Sequence, residues 1–269
     1  MIDNHVHIGW FSDGYHKPAE VWRAVREAGI DEVVVSSTST CAENYKLVVR
    51  EMRELIRLGG PKIHPVLWLT PRMMRTWGLR FMLRSKVKWQ GVKMHWFAHR
   101  EWRGNRKLTQ QAIDVARELD VPMLLHTGVD KCCEARVFEP LCLDNSDVTF
   151  ILAHGRPLEQ TTQVLSHCPN TMVDTAFMPT DDVTTLVNNG LAERIVFGSD
   201  APINQLFFKK EMTTEYLKRQ ITELKTILSS DDFNAIMHRC PYKKIIELWH
   251  TSLRQVGCRA TEMRCSPTS

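Results

Sequence analysis

Ile2-Asp3-Asn4-His5-Val6-His7-Ile8 is the stretch whose reading decides the fold. In an extended chain successive side chains take opposite faces, so His5 and His7 share one face while Ile2, Val6 and Ile8 take the other. Two imidazoles converging on one point suit a borderline metal such as zinc. Alone, the pair also fits a solvated strand face. Four other short apolar runs decide between the two: Gly91-Val92-Lys93-Met94-His95, Met123-Leu124-Leu125-His126, Ile151-Leu152-Ala153-His154 and Val196-Phe197-Gly198-Ser199-Asp200. Each predicts a buried strand with a polar residue at its C-terminal end.

After the first strand, Gly9 to Lys17 reads as a loop in which Trp10, Asp13 and His16 could line a site, and between the runs the spacing predicts helices. Pro18 opens one that runs to about Ala28, with Val21, Trp22, Val25 and Ala28 on one face and Gly29 as its stop. Glu32 to Ser36 is β-branched and reads as the second strand. A helix from Ala42 to Leu58, a strand from Lys62 to Leu69 and a helix capped by Thr70-Pro71 continue the alternation. Beyond the fourth strand come a long loop from Trp96 to Lys107, a helix from Leu108 to Leu119, and a helix from near Cys132 to Leu143. Pro157 opens the next helix, Thr171 to Asp174 is the seventh strand, Asp181 to Asn189 is a helix, and Arg194 to Gly198 is the eighth strand. Residues past Met212 read as two or three helices ending near Trp249.

Strand–helix alternation implies a parallel sheet, and eight units favour closure. The expected fold is therefore α/β: a single-domain (β/α)8, TIM-like barrel over residues 1–250, with extra C-terminal helices and a mobile tail over 251–269. In such barrels the chemistry sits at the C-terminal strand ends, where these ionisable residues lie. No Gly-x-Gly-x-x-Gly follows the first strand, which argues against a dinucleotide-binding sheet.

Composition narrows the partners. A net charge of +4 over 269 residues is too small to indicate nucleic acid. No apolar run approaches the ~18 residues of a membrane span. Asp3, His5 and His7 interrupt the place where a secretory signal would lie. The eight cysteines form no Cys-x-x-Cys pair and read as reduced thiols of a cytoplasmic protein. The expected partner is a small-molecule substrate, with no nucleic acid and no membrane, and a homodimer is compatible with all of this.

The chain resembles the amidohydrolase superfamily, and within it the branch of metal-dependent hydrolases that also holds ring-cleavage decarboxylases and lactonases. The resemblance is carried by Ile2 to His7, Gly91 to His95, Pro122 to Gly128, Phe150 to Gly155 and Phe197 to Pro202. It implies that His5, His7, His126 and Asp200 hold one divalent metal, zinc by preference, beside an activated water. Asp200 would accept that water's proton, and His154 would orient it or act as general acid. Lys93 and His95 would meet substrate. In other branches a carbamylated strand-four lysine bridges two metals, so two ions are expected if Lys93 is carbamylated. Two positions depart from the pattern: Arg156 follows Gly155 where a second glycine is usual, and Cys240 precedes Pro241 where an Asn is usual. Arg156 sits at the rim as a candidate clamp for an anionic substrate.

The expected function is hydrolysis of an amide, ester or lactone bond in a small molecule, an anionic one if Arg156 acts as its clamp. The rival within enzymes is non-oxidative decarboxylation of an unsaturated or aromatic acid on the same cage. A nuclease is disfavoured by the strand-four Lys-x-His and the weak charge. From another class, the rival is a catalytically silent metal-binding barrel.

Overall fold

A computed structural model of the chain describes residues 1–128, 130–208 and 211–244. The expected tail over 251–269 and the helix end near Trp249 lie outside the described residues.

The strands are β1 (Ile2–Phe11), β2 (Gly14–His16), β3 (Glu32–Ser37), β4 (Ile63–Trp68), β5 (Gly91–Met94), β6 (Met123–His126), β7 (Phe150–Ala153), β8 (Thr171–Asp174) and β9 (Ile195–Val196). All but β2 are parallel to their neighbours, in the sheet order β2-β1-β3-β4-β5-β6-β7-β8-β9. The last strand then meets the first. Asn4 N–H donates to Phe197 O (2.8 Å), Asp200 N–H to His5 O (2.7 Å) and His7 N–H to Ala201 O (2.7 Å). The sheet is thereby closed into a TIM-like barrel.

The helices are α1 (Pro18–Glu27), α2 (Tyr45–Gly59), α3 (Pro71–Arg75), α4 (Gly78–Arg84), α5 (Arg106–Leu119), α6 (Glu139–Asp144), α7 (Leu158–His167), α8 (Thr180–Asn188), α9 (Asn204–Phe207), α10 (Thr213–Ile227) and α11 (Ser230–His238). Side chains of Asn44, Thr70 and Asn105 accept the backbone N–H three residues on and so start α2, α3 and α5.

Three sequence expectations are corrected. Gly9 to Lys17 is not all loop: β1 runs on to Phe11 and folds back on β2 as an antiparallel ladder, Trp10 facing Tyr15. The helix expected after Thr70-Pro71 breaks into α3 and α4, with Thr76 in an extended conformation between them. The helix expected from Cys132 shortens to α6, preceded by a 3-10 turn over Ala135–Phe138, and Pro140 stands in its first turn, where no amide donor is needed.

Alternation sorts the strand residues into two cores. Val33, Val35, Leu67, Val92, Leu125, Leu152 and Ile195 face the helices. Val34, Val66, Leu124, Ile151, Ala153 and Val196 fill the bore together with Tyr242. Gly91 makes room for that ring: a Cβ there would lie 2.5 Å from it. The bore is therefore plugged, and the His, Asp and Lys side chains at the C-terminal strand ends gather above the plug, while His64, Glu32 and Gln90 pair at the opposite end.

Candidate metal centre

His5 and His7 leave β1 on the inner face, as the alternation requires, and both are buried. Their Nδ1 atoms have partners behind the ring. His5 Nδ1 lies 2.9 Å from Asp174 Oδ2, and His7 Nδ1 lies 3.0 Å from Ser36 Oγ and 3.3 Å from Ser36 O. A carboxylate only accepts, so His5 carries its proton on Nδ1 and turns the Nε2 lone pair inward. Asp200 meets those lone pairs: its Oδ1 is 3.3 Å from His5 Nε2 and 2.9 Å from His7 Nε2. Ligand atoms of these three buried residues lie within 4.8 Å of one another, a donor set that fits one divalent cation.

Asp200 is held from below. Asp3 accepts Ser199 Oγ–H (2.6 Å), Ser199 N–H (3.0 Å) and His5 N–H (3.1 Å), so it ties the first strand to the last. Burial raises the Asp3 carboxyl to about 7 despite those donors. Burial would raise Asp200 too, but His5 and His7 outweigh it and hold that carboxyl well below its usual range. His7 is pushed down to about 3 by burial and by the Lys93 charge.

His154 stands on the other side of Asp200, its Nε2 4.0 Å from Oδ2. Its Nδ1–H donates to Ala176 O (3.0 Å), and burial lowers its pKa, so the resting ring is neutral with Nε2 toward Asp200. His154 and Asp200 both have positive φ, +71° and +61°. Such strain in residues other than glycine concentrates where side-chain aim matters.

The other expected residues divide. Lys93 is buried, and its Nζ donates to His5 Nε2 (2.9 Å) and His7 Nε2 (3.0 Å) across the face of Trp68 (4.5 Å). Burial lowers it to about 8. Its amine thus touches the histidine pair itself, where the resemblance implied a substrate contact. His126 lies outside the three-donor group. Its ring is stacked on His95 (3.7 Å between centroids) and edge-on to His154 (4.9 Å). His95 stacks in turn on Trp68, and burial holds both His95 and His126 neutral. Arg156 lines the cavity, its guanidinium donating to Phe177 O, and it has no carboxylate partner among the described residues.

The cavity measures about 390 Å³. His7, Lys93, His126, His154, Asp200 and Arg156 supply its polar side, while Phe11, Phe97, Phe177, Ile203, Leu206 and Phe207 supply the apolar one. Most of the cationic loop after β5 stays away from it: Trp102, fully buried, anchors that loop to the core. Asp13 and His16 pair with each other at 3.0 Å.

Asp174, Trp68 and Ser36 were missed. Thr171-Met172-Val173-Asp174 ends as the other site strands do, so its terminal acid carried a usable signal. Trp68 alternates onto the inner face of β4, a weaker signal. Ser36 had none, because only the register pairing His7 with Ser36 brings it to the ring.

A closed parallel barrel with His, Asp and Lys side chains gathered over its C-terminal end defines the TIM-barrel class of enzymes. Within that class the chain belongs to the amidohydrolase family, whose model, described as "Amidohydrolase", matches residues 77–243. The family is metal-dependent, with His5, His7 and Asp200 as a potential metal site here. No curated protein matches the chain. Among solved structures it is similar to an uncharacterized TIM-barrel protein from Bordetella bronchiseptica (16% identity, 96% of this chain and 99% of the other, TM-score 0.62). It is also similar to a probable 2-pyrone-4,6-dicarboxylic acid hydrolase from Acinetobacter baumannii, solved with citric acid (12% identity, 88% and 95% covered, TM-score 0.64). A third is the 5-carboxyvanillate decarboxylase from Novosphingobium aromaticivorans, complexed with manganese (10% identity, 83% and 78% covered, TM-score 0.61). At these identities the likeness concerns the fold.

Proposed function

We propose that the chain is a metal-dependent hydrolase of an amide, ester or lactone bond in a small anionic molecule. The observation that carries this reading is the convergence of His5 Nε2, His7 Nε2 and the Asp200 carboxylate, with His154 on the far side of the same carboxylate. A divalent cation at that point, zinc by preference, supplies Lewis acidity and brings the pKa of a water it holds toward ~7. His126 is the proposed fourth donor. To reach the group its ring must leave the stack on His95, an interaction worth only about 0.5–1.5 kcal/mol.

The protein's own residues supply the proton transfers. Asp200, whose carboxyl is held well below its usual range, takes the proton of the attacking water. His154 rests neutral, so it becomes an acid only after collecting that proton through Asp200 Oδ2, and it then protonates the leaving group. Arg156 pairs with a substrate carboxylate at the rim. Lys93 is proposed to be a free amine and the site to hold one ion. A carboxylated Lys93 between two metal peaks in a crystal structure would replace this with the two-ion arrangement.

The test is elemental analysis of the purified protein. About one divalent ion per chain is expected, and it should vanish when His5 and His7 are both replaced by Ala. Full occupancy in that double variant would rule the site out. Decarboxylation remains the second reading, because a decarboxylase is among the structural neighbours. Release of CO2 from a candidate acid, with no hydrolysis product, would favour it.

A further inference from the structure

We infer that Asp174 is a positioning residue, one carboxylate that sets the ligand tautomer of His5 and the backbone of His154 together. This inference rests on the proposed cation site. Asp174 ends β8 and is fully buried. Its Oδ2 takes the Nδ1–H of His5 at 2.9 Å. Its Oδ1 accepts two backbone donors, His154 N–H at 2.9 Å and Ala176 N–H at 3.0 Å. Ala176 returns the link, because its carbonyl accepts His154 Nδ1–H at 3.0 Å. The group aimed at Asp200 from one side and the imidazole lone pair aimed at it from the other are therefore registered on a single side chain. An acceptor on the outer nitrogen of a ligand histidine raises its basicity and orients the ring.

The surroundings are built for this pair. A Cβ on Gly198 would lie 2.9 Å from Asp174 Cβ and 3.0 Å from His5 Cβ, so the last strand comes this close only with glycine there. Three N–H donors offset the cost of burying the carboxylate.

Asp174→Asn separates positioning from simple packing, because it keeps the shape and removes one acceptor. The two backbone N–H groups require the amide oxygen, which leaves the amide NH2 facing His5 Nδ1. His5 must then accept at Nδ1 and carry its proton on Nε2, where Asp200 Oδ1 lies 3.3 Å away as acceptor and the Lys93 amine gives up its bond to His5 for the one to His7. The ligand lone pair is lost while the fold and the His154 backbone stay. Long-range proton–nitrogen spectra of metal-free, histidine-labelled protein are expected to show His5 moving from the Nδ1–H to the Nε2–H form. Cobalt(II) titration is expected to show a ~10–100-fold loss of affinity. Gly198→Ala, which wedges a methyl between the two residues, should weaken cobalt binding in the same direction if the Asn variant fails to fold.

Asn and Ala variants that keep the His5 tautomer and bind cobalt within twofold of the parent would overturn the inference and leave Asp174 a backbone tie. If the parent itself binds no cobalt, the proposed metal function fails. The tautomer shift then decides Asp174 alone: its presence supports positioning, and its absence overturns it.

Discussion

His154 and Arg156 stand two residues apart at the end of β7 and are assigned different work. His154 touches Asp200 through Nε2 alone, since Nδ1 is committed to Ala176 O. Replacing it with Asn should leave the cation bound and lower turnover by ~10²–10⁴-fold, the usual contribution of a general acid–base group. Metal content and turnover measured on the same sample check this, and loss of both would make His154 a ligand. Arg156 is steadied by Phe177 O and keeps the rest of its guanidinium for the cavity. Against a carboxylate substrate, Arg156→Lys should raise KM about tenfold with kcat little changed, because an ammonium cannot copy the bidentate pair. Unchanged KM would confine Arg156 to holding the loop at Phe177.

At the scale of elements, the base of the β1–β2 hairpin rests on a buried acid of α2. Gly9, at φ +96°, lies over Glu51, whose carboxylate accepts Ser37 Oγ–H (2.6 Å) and Ser39 Oγ–H (2.9 Å). A Cβ at Gly9 would strike Ser39 Oγ at 2.5 Å, so this glycine is required by space as well as by φ. Burial raises the Glu51 carboxyl above its ordinary 4.5, and the hydroxyl donors only partly offset that. Between the unfolded and folded pKa values the native state therefore binds more protons than the unfolded one. Stability contributed here is present at low pH and is lost as pH rises above about 4.5 through the folded pKa. Relative to Glu51→Gln, the parent should lose unfolding free energy between pH 5 and pH 8. Denaturant melts of both proteins at the two pH values measure the difference, and parallel behaviour would show that Glu51 ionises freely in place.

For the molecule as a whole, Tyr242 couples the C-terminal segment to the barrel. Its ring is fully buried in the bore against Val66 and Gly91, beneath the polar layer. Tyr242→Ala should cost about 3–5 kcal/mol, the range for emptying a large aromatic site. Urea melts supply the number, and a loss under about 1 kcal/mol would mean that the bore collapses around the gap. The polar layer should shift with it, since Lys93 lies two residues from Gly91 on the same strand face.

Alternation and apolar runs determined much of this protein by themselves. The parallel barrel, the inward aim of His5 and His7, and the placing of Lys93, His126, His154 and Asp200 at strand ends all follow from side-chain periodicity, which is local. The hairpin at Trp10 and Tyr15 and the break at Thr76 escaped that reading, because pairing partners and tertiary packing set them. Tertiary structure alone decided the distances. Strand register set Ser36 behind His7, and closure of the last strand on the first set Asp200 between the two histidines and Asp174 behind His5. It also drew Lys93 onto the histidine pair and stacked His126 on His95, outside the three-donor group. Periodicity specifies which way a side chain points. How far it reaches, and what it meets there, depends on strands that lie 29 to 169 residues apart in the chain.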